Sequence, residues 1–210
     1  MARSENNLNA VFTDTAAAIR AKTNTTERIC PLDFADKINA IKTGGGGMKA
    51  YFDAGGKCSN SNATSFDGII KYSDTANVED ARYMFQNCER LKSIPNMDTS
   101  KWWDCRYAFQ NNRALVDIDI TFPTGNNFTD TFGGCSSLVT AKLTAGGPDV
   151  TMTECFKSCI KLKNVIINAP HLYKADDCFY NSYTTETITI SDVDMSNYSA
   201  SFRNLCRRSI

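Results

Sequence analysis

A phenylalanine returns along this chain at nearly constant intervals, at Phe85, Phe109, Phe132, Phe156, Phe179 and Phe202, with gaps of 24, 23, 24, 23 and 23 residues. A fixed period of this length marks stacked supersecondary units and excludes most other ways of packing a chain. The same skeleton surrounds each phenylalanine. Six residues later stand Leu91, Leu115, Leu138 and Leu162, and nine later stand Ile94, Ile118, Ala141, Val165 and Ile188. Three later come Cys88, Asn112, Cys135, Cys159, Ser182 and Leu205, and four earlier come Ala81, Cys105, Phe128, Met152, Ala175 and Tyr198. Positions within a unit are counted below from its phenylalanine.

Within a unit the hydrophobic period changes. Ala81, Met84, Phe85 and Cys88 fall at i, i+3, i+4 and i+7, which predicts a short amphipathic helix. Ile118 and Ile120, Val165 and Ile167, and Ile188 and Ile190 then alternate as strand residues do. A short helix followed by a short strand cannot bury both apolar stripes alone, so the units must stack with their strands side by side. The expected fold is an α/β solenoid, leucine-rich-repeat-like, of 23–24-residue units with the repeat core Phe85, Leu91, Phe109, Leu115, Phe132, Leu138, Phe156, Leu162, Phe179 and Phe202.

Segments such as YMFQNCERLKSIPNMDTSKWWDCRYAFQNNRALVDI and CFKSCIKLKNVII resemble the BspA-like class of leucine-rich repeats over about residues 77 to 210. The pattern departs in the third unit, where Gly125, Asn126 and Asn127 replace the usual turn, and in the fifth, where Thr185 holds the leucine position. Upstream, Ile70 and Tyr72 lie 24 residues before Ile94 and Asn96, while Ser61 and Asp67 hold the phenylalanine and leucine positions. Residues 49–76 are therefore expected to cap the solenoid of residues 77–210, with Tyr51 and Phe52 as an earlier strand. At the far end the last strand edge should be covered by Arg207, Arg208 and Ile210, by a symmetry mate or by another protein.

Residues 1–43 follow a different grammar. Leu8, Val11, Phe12, Thr15, Ala16 and Ile19 form one helical face, and Phe34, Ile38 and Ile41 another after Pro31 and Asp33, which predicts a small N-terminal helical hairpin. So few large apolar groups do not sustain an independent fold, so the hairpin should self-associate or dock on a larger body. The glycine run at residues 44–48 reads as a linker. The stretch LNAVFTDTAAAIRAKTNTTERICPLDFADKINAI resembles the leader of many bacteriophage virion-associated proteins, in which a variable displaying domain follows. That resemblance implies a virion structural protein assembled in the host cytoplasm, a head or tail fibre or appendage subunit held to other virion proteins through residues 1–43.

Charge and chemistry narrow the function further. Lysine plus arginine and aspartate plus glutamate number 23 each, so net charge supplies no field for nucleic acid. No apolar run reaches membrane-spanning length, and the first ten residues lack the apolar stretch of a signal peptide. Cys155 and Cys159 are four apart, Cys178 is isolated, and the single histidine, His171, follows a proline, so zinc-ligand spacing is missing and the cysteines read as small core residues. Gly44 to Gly47 lacks the lysine ending of a phosphate loop, and Asp117 with Asp119 read as solvated residues on one strand face. No catalytic residue, metal ligand or cofactor is assigned.

Val78 and Leu172 are apolar at position −7, which places Trp102 in the core at a corner. Trp103, at −6, shares its position with Glu79, Asn126, Val150 and Tyr173 and is the candidate ligand-binding residue, an exposed aromatic that can stack on a sugar ring or anchor a protein. Together with the repeat surface, the leader resemblance implies a non-enzymatic virion protein, a homo-oligomer (dimer or trimer) presenting that surface to a host glycan or protein. The alternative is a bacterial BspA-like adhesin or interaction module.

Overall fold

The computed structural model describes residues 47–191. The expected helical hairpin, Phe202 and the C-terminal edge lie outside the described residues. The molecule is a solenoid whose successive coils are joined by hydrogen bonds along its length. Among the described residues six strands are formed: β1 (Asp117–Phe122), β2 (Thr140–Ala145), β3 (Val150–Thr151), β4 (Asn164–Asn168), β5 (Leu172–Lys174) and β6 (Thr187–Ser191). β1, β2, β4 and β6 make one parallel sheet in that order, and β3 and β5 make a second. The main sheet is in register, with Ile118, Ala141, Val165 and Ile188 side by side and Ile120, Leu143, Ile167 and Ile190 in the next row. Side chains alternate inward and outward along β1, β2 and β4.

Among the described units the expected helix is absent, although its apolar stripe is buried as spaced. Residues 82–87 form consecutive turns, and their N–H groups divide between two sets of acceptors. Met84, Gln86 and Cys88 donate to the carbonyl three residues back, at 3.1, 3.3 and 3.4 Å. Ala81, Tyr83, Phe85 and Asn87 instead donate to Asp104, Arg106, Ala108 and Gln110 in the next coil, at 2.7–3.1 Å. The same four positions repeat these bonds from Phe109, Phe132 and Phe156. A helix would consume all its donors internally and leave neighbouring coils unjoined. The turns leave half of them free to tie one coil to the next, and still place positions −4, −1, 0 and +3 inside.

This backbone requires a left-handed residue at positions −2 and +2. Tyr83 and Asn87 have φ of 59° and 57°, and Asp130 and Gly134 have 54° and 72°. Left-handed φ costs an ordinary L-residue about 1–2 kcal/mol and asparagine, aspartate or glycine less. Position +2 is accordingly Asn87, Asn111, Gly134, Ser158 and Asn181.

Inside, the phenylalanines form a continuous stack. Ring centroids of Phe85, Phe109, Phe132, Phe156 and Phe179 lie 5.4, 5.4, 5.5 and 5.6 Å apart with planes within 14° of parallel. The leucines at +6 and the residues at −4 are buried against this stack. Thr185, at the leucine position of the fifth unit, is half-buried and turns its hydroxyl to the carbonyl of Ser182.

Position +3 has a separate polar function. Cys88, Cys135 and Cys159 direct their thiols to the carbonyls of Cys58, Phe109 and Phe132 at 3.0–3.3 Å, and Ser182 donates its hydroxyl to Phe156 at 2.6 Å. Asn112 occupies the same position, is fully buried, and leaves both its amide oxygen and its nitrogen without a partner. Asn112→Cys is expected to raise stability by about 1–2 kcal/mol in urea unfolding, by removing an unsatisfied buried amide and supplying the donor its neighbours have. A lower urea midpoint would show that the amide is satisfied.

The first coil corrects three expectations. Cys58 and Asn60 donate to Met84 and Gln86, the bonds that Phe85 and Asn87 make one coil on. Cys58 therefore holds the phenylalanine position, and Ser61 lies three beyond it, buried in the cysteine position. Phe66 supplies the missing ring, edge-on to Phe85 at 5.0 Å. Tyr51 and Phe52 belong to a helix, α1 (Gly47–Asp53), not a strand. Met48, Tyr51 and Phe52 are spaced at i, i+3 and i+4 and pack on the core, closing the end of the stack. Gly47 and Met48, expected in the linker, are the first residues of α1. Ile94 lies outside any strand, because Pro95 beside it has no N–H for a ladder.

Candidate interaction surface

Trp103 sits at a corner between two coils, and its backbone is fixed on both sides. Its N–H donates to Glu79 at 3.1 Å, and its carbonyl accepts from Asn126 at 3.1 Å and Asn127 at 3.3 Å. Neighbouring Trp102 points the other way, fully buried with its ring 5.9 Å from that of Phe122. Gly125, one coil later at the same position, makes room for this aromatic corner, since a Cβ there would lie 2.5 Å from the Phe128 ring. Trp103 is left 47% exposed on a main chain that cannot easily move, and Tyr173, at the same position near the far end, is 67% exposed. A main chain held in this way adds no backbone ordering cost when the ring binds a partner. Val150 shares the position by counting but is buried, because the pairing of β3 and β5 shifts register between Val150 and Thr151 and turns it inward.

The coils of Phe85 and Phe109 carry the same polar and aromatic residues twice: Asp80 and the buried Asp104, Arg82 and Arg106, Tyr83 and Tyr107, Gln86 and Gln110, Asn87 and Asn111. Each pair makes or joins a ladder. The tyrosine rings stack at 5.0 Å, and Gln86 Nε2 donates to Gln110 at 2.6 Å. Asn111 and Asn87 each donate an amide to the asparagine one coil back, at 2.9 and 3.0 Å. Arg82 and Arg106 lie on Asp80 and Asp104, with closest contacts of 2.6 and 2.7 Å. The duplicated row is therefore largely occupied with holding neighbouring coils together.

Position −2 turns acidic further along, at Asp130, Glu154 and Asp177. Burial pushes the Asp130 carboxyl up to about 6, against a hydrogen bond from Gln110 that lowers it, and Glu154 adds repulsion. The folded state thus holds this proton more tightly than the unfolded state. The stability this contributes is full below about pH 4 and is lost as pH rises through about 6. Asp130→Asn, which also suits left-handed φ, should flatten that slope and stabilise the protein at pH 7 by about 1 kcal/mol after allowance for solvent screening, read from urea midpoints across pH 4–8. An unchanged pH profile would place the titration elsewhere.

Residues that suggested chemistry are not assembled into a site. His171 is exposed, and Asp117 and Asp119 face solvent from β1. Cys155 and Cys159 are buried, and burial raises both thiols, while Cys135 is pushed up to about 12, so none is poised as a thiolate. Among the described residues no group of histidine, cysteine, aspartate or glutamate is arranged to hold a metal ion. No helix among them is long and apolar enough to cross a membrane.

Comparison with known families is decisive for the repeat. Residues 62–147 match the BspA type leucine rich repeat region, in six copies. The fold is a leucine-rich-repeat solenoid. The match covers less than half of the chain, but the inter-coil bonds of the leucine-rich-repeat solenoid continue unchanged through Phe156 to Tyr180. No curated protein and no solved structure matches the chain. A leucine-rich-repeat region of this type points to a protein-interaction or adhesion module.

Proposed function

We propose that this protein is a non-enzymatic virion component, a bacteriophage head or tail fibre or appendage subunit that displays a leucine-rich-repeat surface to a host glycan or protein. The observation that carries the binding role is Trp103, half-exposed on a backbone fixed from both sides. The virion assignment is supported by the leader-like stretch within residues 1–43, which would join the subunit to other virion proteins and to copies of itself as a dimer or trimer. Weak contacts from single copies would then add through multivalency. Equal numbers of acidic and basic residues favour a glycan or protein over nucleic acid.

A bacterial BspA-like adhesin is the second reading, favoured by the repeat match itself. Solution masses by light scattering, for the full chain beside a truncated form beginning at Gly47, separate the two. An oligomeric full chain with a monomeric truncated form supports display through residues 1–43. Monomers in both cases would remove the self-assembly role, and residues 1–43 must then dock on another virion protein or the appendage reading falls.

A further inference from the structure

We infer that Trp103, Glu79 and Asn126 form one site for a neutral, hydroxyl-rich sugar ring. The inference rests on the Trp103 surface proposed above and narrows its ligand from glycan or protein to glycan. The three residues hold position −6 in successive coils, and their backbones are bonded directly: Trp103 donates to Glu79, and Asn126 donates to Trp103, each at 3.1 Å. Coils joined in this way are spaced by about 4.8 Å, so the outer two residues stand about 10 Å apart with the indole between them. Glu79 is exposed, and no other described residue bonds its carboxylate. Asn126 is half-buried: its Oδ1 is enclosed without a partner, and its Nδ2, which donates to no other described residue, is the end at the surface. An exposed aromatic face thus lies between a free acceptor and a free donor.

The surroundings decide the class of ligand. A protein hot spot is an anchor set among contacts that exclude water. Here both neighbours of the indole at position −6 are polar, and an apolar side chain seated on the ring would strand them dry, each at the cost of an unmade hydrogen bond. A lysine or arginine supplies donors only and leaves Asn126 Nδ2 unpaired. An anion supplies acceptors only and meets the charge of Glu79. Lys101, exposed two residues before Trp103 and donating to Asn77 at 3.4 Å, offsets that charge, so the site as a whole favours neither ion. Hydroxyls both donate and accept, so a sugar ring serves the carboxylate and the amide together while its C–H face covers the indole.

The test uses the full chain and follows its two indole N–H signals by NMR, assigned with Trp103→Ala, during titration with the methyl glycosides of glucose, galactose, mannose and N-acetylglucosamine. At least one glycoside should move the Trp103 signal, with a Kd of roughly 1–10 mM for a ligand of this size, and leave the Trp102 signal in place. Glu79→Ala, an exposed substitution, should weaken that glycoside by at least about threefold with an unchanged thermal midpoint. Nα-acetylargininamide, the cationic control, should bind at least tenfold more weakly. No shift with any glycoside at about 100 mM, equal binding of the arginine derivative, or full affinity in Glu79→Ala would each overturn the inference. Any of these beside Trp103-dependent retention on host envelope protein would leave Trp103 as a protein anchor and overturn only the sugar site. Retention that ignores Trp103 would remove the surface reading on which the site rests.

Discussion

Phe132→Ala should destabilise the protein by about 3–5 kcal/mol in urea unfolding, the range for truncating a fully buried phenylalanine. Phe132 lies midway in the ring stack, 5.4 Å from Phe109 and 5.5 Å from Phe156, and its side chain has no exposure. A solenoid's stability is a sum of coil terms and nearest-neighbour terms, so one deleted ring weakens two interfaces at once. The transition should therefore broaden as coils on either side of the gap lose their coupling. Phe132→Leu, which keeps most of the volume, should cost markedly less. A loss below about 1 kcal/mol for the alanine variant would mean that the stack is not the spine of the core.

Asp104→Ala is the second large effect, expected at about 2–3 kcal/mol by the same measurement. The Asp104 carboxylate is buried and accepts from the backbone N–H of Arg106 at 3.2 Å, from its Nε at 3.0 Å and from its Nη2 at 2.7 Å, with Arg82 Nε at 3.7 Å. Removing it leaves the part-buried Arg106 N–H unpaired and two guanidiniums facing each other across coils. Arg82 and Arg106 are partly exposed, and water can recover part of their hydration, which holds the cost below that of a wholly buried pair. Asp119→Ala is the control: its ion pair with Lys142 is exposed, and its loss should stay within about 0.5 kcal/mol. Similar costs for the two would contradict the difference in burial.

Much of this architecture was legible in the sequence because it depends on side-chain period alone. The phenylalanine interval, the leucines at +6 and the alternation at Ile118 and Ile120 fall on buried positions. The helical expectation fails for a physical reason: i, i+3, i+4 and i+7 describe which residues face inward, and consecutive turns with two left-handed residues bury the same set. A signal was available in the column Asn87, Asn111, Gly134, Ser158 and Asn181, since these residue types favour left-handed φ or local turns. The first coil lies three residues from where the period places it, because Cys58 replaces the ring and Phe66, from elsewhere in the coil, fills the space. Nothing in the spacing of single residues carries such a substitution. At the surface, counting placed Trp103 and Val150 alike, and only the register shift at β3 separates an exposed tryptophan from a buried valine.

The binding role is tested most directly by retention on immobilised host-cell surface polysaccharide and envelope protein, comparing the full chain with Trp103→Ala. Trp103 is the exposed tryptophan and Trp102 the buried one, so loss of the iodide-quenchable fluorescence in the variant confirms that the intended ring was removed. The account predicts that the full chain is retained and that the variant loses at least tenfold in apparent affinity with an unchanged thermal midpoint, as expected when an aromatic anchor is truncated. Equal retention of the two proteins would contradict it and remove Trp103 from the binding surface.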